Sequence, residues 1–322
     1  MSVPAQTYLR KQLKDTYVLD LPSLHIEPTT RCTLGCPRCS RTVLLNDYGK
    51  KFLPITDLDT QALDDFIDIP VKDIKLSGNN GDPIYHRNFL DVVRVAKKHC
   101  QSVKITTNGS GRSTAWWEEL NNILDETDDI KFNIDGIPEN FTEYRINGNW
   151  KSVKRGLEIC SQGPAKTIWK YIVFKYNQNN IQEAQALAQQ FGAEFRVDRS
   201  ARFEPNDPYR PSDEYALTDK ENAQREFQVV ENPNYFQVDP QCDNNSEHFI
   251  NSNGYYMPCC YSGDFRFYYK NSWWKNKELH NIQTSKLSEQ LKIYREFFNN
   301  MIINPPDYCK FNCPKTAVRN KR

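Results

Sequence analysis

Thr30-Arg31-Cys32-Thr33-Leu34-Gly35-Cys36-Pro37-Arg38-Cys39-Ser40-Arg41 is the stretch around which the rest of the chain is organised. Its three cysteines have C-x3-C-x2-C spacing and follow closely on the apolar run Leu24-His25-Ile26 and the acid Glu27. Thiolates are soft ligands that suit iron–sulfur clusters and zinc. Three thiolates hold three irons of a [4Fe–4S] cluster and leave the fourth iron for a non-protein ligand. Structural zinc closes at four ligands, usually by pairing one C-x2-C with another pair. These twelve residues favour a cluster and leave zinc, or three unrelated buried thiols, open.

Outward from this loop the chain alternates short β-rich runs with helical patterns. Residues 57–69 place Leu58, Ala62, Phe66 and Ile69 on one helical face, and Pro70 stops the run. Strands are expected at 72–77, 102–107, 129–135, 166–174 and 193–199, and helices from Asn88, from Ser113, over 150–162 and over 180–191. The helix from Asn88 repeats Phe89, Val92, Val93, Ala96 and Cys100, and the one from Ser113 repeats Trp116, Leu120 and Ile123. Gly192 suits the position just past a helix end. Six β-α units in about 200 residues imply an α/β fold with a parallel sheet and helical crossovers. Such sheets carry their chemistry at the carboxyl edge, and the first cysteine falls there. Cys100 and Cys160, among apolar neighbours on helix faces, read as core packing.

Composition narrows the partners. The 322 residues suffice for about two domains. A net charge of +1 offers no global basic field for nucleic acid, and the basic end KTAVRNKR reads as a solvated tail. No stretch approaches the ~18 apolar residues of a membrane span, and the N-terminus lacks the apolar core of a signal peptide. The clustering of the ten cysteines at ligand spacings favours metal in a reducing cytoplasm over disulfides.

Three loops behind the cysteines follow expected strands: Ser77-Gly78-Asn79-Asn80-Gly81-Asp82-Pro83, Thr106-Thr107-Asn108-Gly109 and Asn133-Ile134-Asp135-Gly136. Singly, each is a plausible turn. In order and position, with the cysteine loop, they resemble the radical S-adenosylmethionine (SAM) enzymes. The first is similar to that family's Gly-Gly-Glu-Pro segment, with Asn80 and Asp82 in place of Gly and Glu; the others resemble its Thr-Asn-Gly and Ser-x-Asp-Gly segments. Arg38 departs from the family, which usually has an aromatic or apolar residue there, near the adenine.

The resemblance implies a partial (β/α)6 TIM-like barrel in which Cys32, Cys36 and Cys39 hold a [4Fe–4S] cluster and SAM chelates its open iron. Reductive cleavage of SAM then gives a 5′-deoxyadenosyl radical that abstracts a substrate hydrogen. Gly81, Asp82, Pro83, Thr107, Asn108 and Asp135 are the implied SAM contacts, with Asp82 meeting the ammonium and Arg199 (or Arg202) the carboxylate. A flavodoxin or ferredoxin is the expected reductant. Asp198, Tyr176 and His86 are candidate bases by position alone.

A second group, Cys242, Cys259, Cys309 and Cys313, with Gly254 completing C-x11-G-x4-C, resembles the twitch (short SPASM-like) extension of these enzymes. It implies a second, fully ligated auxiliary [4Fe–4S] cluster; Cys260 is a spare thiol beside it, and structural zinc is the alternative. The expected organisation is an extension (1–22), the barrel (23–230) and a small iron–sulfur domain (231–322), in which Trp273-Trp274 pack. The implied function is an oxidoreductase acting on a peptide, a protein residue or a small polar metabolite, with the auxiliary cluster taking up the electron. About 23 residues precede the first strand, too few for a leader-binding domain, which weakens the leader-dependent reading. The rival is an iron–sulfur or zinc carrier without SAM chemistry, which has no need of the three strand-end loops.

Overall fold

A computed structural model describes residues 22–200, 203, 206–216, 247–263, 272–303, 305–306, 309 and 313. Among them eight strands form one sheet: β1 (Ser23–Ile26), β2 (Val71–Leu76), β3 (Cys100–Thr107), β4 (Asp129–Asn133), β5 (Lys166–Ile172), β6 (Glu194–Asp198), β7 (Glu247–Ile250) and β8 (Tyr256–Met257). Their order is β6-β5-β4-β3-β2-β1-β7-β8, with β1 to β7 parallel and β8 antiparallel to β7. The described helices are α1 (Ser40–Tyr48), α2 (Thr60–Phe66), α3 (Phe89–His99), α4 (Thr114–Ile123), α5 (Trp150–Ser161), α6 (Ile181–Gln190), the single turn α7 (Ser272–Lys275) and α8 (Leu287–Ile303). This is the partial α/β barrel that the alternation of strands and helices predicts.

Local chemistry sets the element ends. Asp59 caps α2 by accepting from the Gln61 and Ala62 N–H groups, Ser113 caps α4 through Trp116 N–H, and Asn149 caps α5 through Ser152 N–H. Gly192 (φ +79°) closes α6 as expected: its N–H reaches Gln189 O and that of Ala193 reaches Ala188 O, at 3.0 and 2.9 Å. Alternation then sorts the sheet faces. Leu24, Ile26, Ile74, Leu76, Val103, Ile105, Ile130 and Phe132 pack with helix residues such as Phe66, Val92, Trp117 and Leu157. Complete burial of each large apolar side chain contributes roughly 1.5–3 kcal/mol. The alternate positions, His25, Asp73, Lys75, Lys104, Lys131 and Lys170, carry polar groups on the opposite face, where Lys104 pairs with Asp73 at 3.2 Å and Lys170 with Asp198 at 2.7 Å.

Several local expectations shift. Trp117, not Trp116, is the fully buried tryptophan of α4, and Trp116 is half-buried beneath Arg112, whose guanidinium lies 4.8 Å from its ring centroid. Cys100 does not extend the α3 face but opens β3: its backbone is already extended, and the helix ends at His99, where Lys98 and His99 pair with Asp64 at 2.8 and 2.6 Å. β4 and β5 stop two residues short of expectation; the Asp135 carboxylate takes the Ile172 N–H at 2.9 Å, and a side chain replaces the ladder. α1 went unread because it has no apolar period: Leu44 is its one buried residue. β7 lies beyond the expected domain boundary near 230, yet it pairs with β1 along its whole length, Ser23 opposite Glu247 through Ile26 opposite Ile250.

Candidate active site

The cysteine loop leaves the carboxyl end of β1, and the loops after β2, β3 and β4 are hydrogen-bonded onto it. Glu27, the first residue past β1, is buried, and its carboxylate accepts the Asn80 N–H at 2.5 Å, with the Asn79 and Gly81 N–H groups also directed at it. Asp82 N–H donates to Arg31 O at 2.8 Å, and the Ser40 hydroxyl to Asn79 O at 2.7 Å. Gly81 lies so close that a Cβ there would sit 2.0 Å from the Thr29 carbonyl oxygen, so no larger residue fits. Burial pushes the Glu27 carboxyl up to about 7, against the three N–H groups that favour its charge.

Asp82 performs the same service for the next loop. Its Oδ1 accepts the Thr107 hydroxyl at 2.8 Å and the Ile84 N–H at 3.3 Å, and its Oδ2 accepts the Asn108 N–H at 2.6 Å. Pro83 opens the short 3-10 turn that Asp82 caps. Asn108 in turn donates through Nδ2 to Cys32 Sγ at 3.7 Å, while the Leu34 N–H reaches the same sulfur at 3.4 Å. Gly109 makes the turn at φ +74°, with Phe132 packed where a Cβ would lie. A chain of contacts thus runs from Thr107 through Asp82 and Asn108 to the first cysteine.

Asp135, fully buried, anchors the other side. Arg145 Nη2 lies 2.5 Å from Asp135 Oδ2, and Nη1 of the same guanidinium lies 3.8 Å from Cys36 Sγ. The neighbouring carboxylate and thiol raise the Arg145 pKa further, so its charge is permanent despite burial. Cys36 packs with Leu34, Tyr144, Phe174 and Phe203 in a second apolar cluster roofing the loop. Arg38, where the family has an apolar residue, turns outward to Asp207 at 2.7 Å and ties the loop to the 206–216 segment.

The donor set suits an iron–sulfur cluster. Burial pushes the Cys32 thiol up to about 12, with Asp82 and the other two thiols adding to the rise, and burial likewise raises Cys36 against the pull of Arg145. Buried thiols such as Cys32 and Cys36 ionise side by side only when a cation compensates their charge. N–H groups aimed at the Cys32 sulfur are the kind of contact that tunes cluster potentials.

The candidate bases are engaged elsewhere. His86 is buried, donating Nε2–H to Leu58 O at 2.9 Å and accepting Asn88 N–H on Nδ1 at 3.1 Å. Tyr176 donates its hydroxyl to the Asp135 carbonyl, and Asp198 is paired with Lys170. Arg199 is exposed and reaches the Ala216 carbonyl at 3.5 Å; Arg202 lies outside the described residues. Cys160 is fully buried in the main core, and Cys100 packs against it. Cys242 lies outside the described residues; Cys309 and Cys313 are buried one helical turn apart, Cys313 N–H donating to Cys309 O at 2.8 Å, and Cys259 follows β8. Trp273 is buried, stacked on His280 at 3.9 Å. Glu27 and Arg145 were not singled out from the sequence. An acid directly after a buried strand was a usable signal for Glu27; nothing in the spacing marks Arg145.

Fold and cysteine loop are those of a radical SAM enzyme. No family model matches the chain. Among curated relatives it is 30% identical over 188 residues to the mycofactocin maturase MftC of Mycolicibacterium smegmatis, covering 56% of this chain and 45% of that protein. It is 32% identical over 119 residues to the GTP 3',8-cyclase of Nitrobacter winogradskyi, covering 34% of this chain and 32% of that one. The chain therefore spans less than half the length of either relative. Streptococcus suis SuiB bound to its precursor peptide SuiA shares the fold with a TM-score of 0.59 and 13% identity, covering 97% of this chain and 76% of SuiB. No helix among the described residues is long and apolar enough to cross a membrane.

The Glu27 carboxylate yields a pH prediction. Its folded pKa, about 7, exceeds the ordinary 4.5, so the folded state binds the proton more tightly. Its stabilising contribution is complete below pH ~4.5 and is lost as pH rises through 7, a change on the order of 1–3 kcal/mol. Glu27→Gln keeps an acceptor for Asn80 and cannot ionise. Thermal midpoints between pH 5 and 8 are expected to fall more steeply for wild type than for the variant; parallel curves refute this account.

Proposed function

We propose that this chain cleaves SAM reductively and uses the resulting radical to oxidise a peptide or protein side chain. Cys32, Cys36 and Cys39 would hold a [4Fe–4S] cluster, which when bound would supply the electron for reductive cleavage of the SAM carbon–sulfur bond. Around it, Glu27 and Asp82 hold the backbone of the 77–83 and 107–109 loops in the conformation that receives SAM, so that Gly81, Pro83, Thr107 and Asn108 serve as binding residues. Both Asp82 oxygens already accept loop donors. Its role is therefore positioning these loops more than meeting the ammonium directly. Asp135 and Arg145 hold Cys36, and Arg199 is the candidate for the SAM carboxylate.

The observation that carries this reading is the unbroken set of contacts Thr107–Asp82–Asn108–Cys32, which joins loops from three strands at the first thiol. A carrier protein has no use for it. The similarity to MftC and the shared fold with SuiB, described with its precursor peptide, support a peptide as substrate. The C-terminal cysteines Cys242, Cys259, Cys309 and Cys313 belong, on this reading, to an auxiliary cluster that accepts the substrate electron, in a region whose first strand, β7, is joined to the barrel sheet. The reductant is a flavodoxin- or ferredoxin-type protein, and the setting is a reducing cytoplasm.

Anaerobic reconstitution, reduction and addition of SAM should yield 5′-deoxyadenosine, with none above background in Cys36→Ala. Equal product in both proteins overturns the assignment. Iron analysis decides the second cluster: about eight irons per chain support two clusters, and about four remove the auxiliary one.

A further inference from the structure

Behind the 77–83 loop, on the polar face of the sheet, three chemically different donors meet. His25 comes from β1, Glu247 from β7, and Cys260 from the turn after β8. One ligand atom from each lies within 4.8 Å of the other two. His25 is buried and the other two are half-buried. A tetrahedral ion with bonds of about 2.0–2.3 Å holds its donors roughly 3.5 Å apart, a small adjustment from this arrangement.

Hydrogen bonding fixes which atoms face inward. His25 Nε2 lies 3.1 Å from the Ser77 carbonyl oxygen. A carbonyl only accepts, so Nε2 carries the proton and Nδ1 presents a lone pair. That lone pair faces Glu247 Oε1 at 3.9 Å, with Cys260 Sγ as the third corner. Two acceptors pointing at one another need a cation or a proton between them. Lys75 supplies a cation to the other carboxylate oxygen, Oε2, and leaves Oε1 turned to the imidazole. A ring N–H held by a backbone carbonyl is also how proteins orient a histidine that binds metal.

We propose that His25 Nδ1, Glu247 Oε1 and Cys260 Sγ bind one divalent transition ion of the zinc–iron class. Imidazole, carboxylate and thiolate together suit that class and not calcium or magnesium. With three protein ligands the ion keeps a fourth position open, as in catalytic rather than structural zinc sites. It would tie β1, β7 and the turn after β8 together directly beneath the SAM-loop backbone, since the Ser77 carbonyl opens that loop and the Asn79 amide donates to the Cys260 carbonyl at 3.5 Å. None of its three ligands is among the proposed cluster cysteines, although Cys260 directly follows Cys259, and Cys260 acquires a role that the auxiliary cluster does not give it.

The test uses the full chain with its iron–sulfur clusters reconstituted, stripped of loose metal by a chelator and titrated with Co2+. The expected result is one cobalt per chain with a thiolate-to-cobalt charge-transfer band, and loss of both in His25→Ala and in Cys260→Ser, with iron content unchanged. Should His25→Ala fail to fold, Cys260→Ser, a single-atom change, carries the test alone. The proposal is overturned if wild type binds no cobalt, as when the Cys260 S–H simply donates to His25. Cobalt retained in Cys260→Ser also overturns it, as does a drop in iron in that variant, which would assign the thiol to a cluster.

Discussion

Arg145→Met is expected to cost about 3–5 kcal/mol in folding stability, the penalty of leaving one partner of a buried ion pair uncompensated. Arg145 is the counter-ion of Asp135, whose carboxylate is fully buried, and the two are 2.5 Å apart. Methionine fills much of the same volume and strands the Asp135 charge in an apolar wall. Arg145→Lys should recover only part of the loss, because one ammonium cannot reproduce a fork that reaches Asp135 with one nitrogen and Cys36 Sγ, at 3.8 Å, with the other. Adding Asp135→Asn to Arg145→Met removes the stranded charge, and the double variant should be more stable than Arg145→Met alone. Urea unfolding of wild type, Arg145→Met, Asp135→Asn and the double variant, all in one cluster state, measures this cycle. Strict additivity would show that the two side chains do not act as a pair.

Asp82→Ala should lower 5′-deoxyadenosine formation about a hundredfold, the scale on which a misplacement of roughly 1 Å acts on a reacting centre. Its effect on stability is expected to be smaller, because two consequences oppose each other. The Thr107 hydroxyl and Asn108 N–H lose their acceptor, costing roughly 1–3 kcal/mol for each buried group. At the same time the fold no longer carries a carboxylate whose pKa burial has pushed up to about 6. What does not recover is the Asn108 backbone, and with it the amide donated to Cys32. Iron content should stay at the wild-type value while SAM cleavage falls. Wild-type turnover in Asp82→Ala would refute the positioning role, and loss of iron would make the residue a requirement of the cluster itself.

Much of this protein is legible one stretch at a time. Period-2 and period-3.6 patterns between residues 24 and 198 specify six strands and their crossover helices, because burial of one face imposes those periods on the local sequence. Cysteine spacing is similarly local: Cys32, Cys36 and Cys39 lie within eight residues, and thiolate chemistry favours a cluster there while leaving zinc open until the strand-end loops are read with it. The glycine-bearing loops at 78–81 and 107–109 are also marked in the sequence, since close backbone approach admits no other residue at Gly81.

Only the tertiary structure decided the partners across those loops. Asp82 reads as a ligand-facing acid, but three donors from two loops claim its oxygens, because the β2 and β3 ends are neighbours in the sheet. Arg145 has no sequence mark at all. Its meaning comes from Asp135, ten residues before it, and Cys36, 109 residues before it, converging on one guanidinium. The pairing of β1 with β7, and the meeting of His25 with Glu247 and Cys260, join residues more than 200 positions apart. Local propensity and spacing hold no information at that range, since such contacts exist only once the sheet has closed the intervening chain.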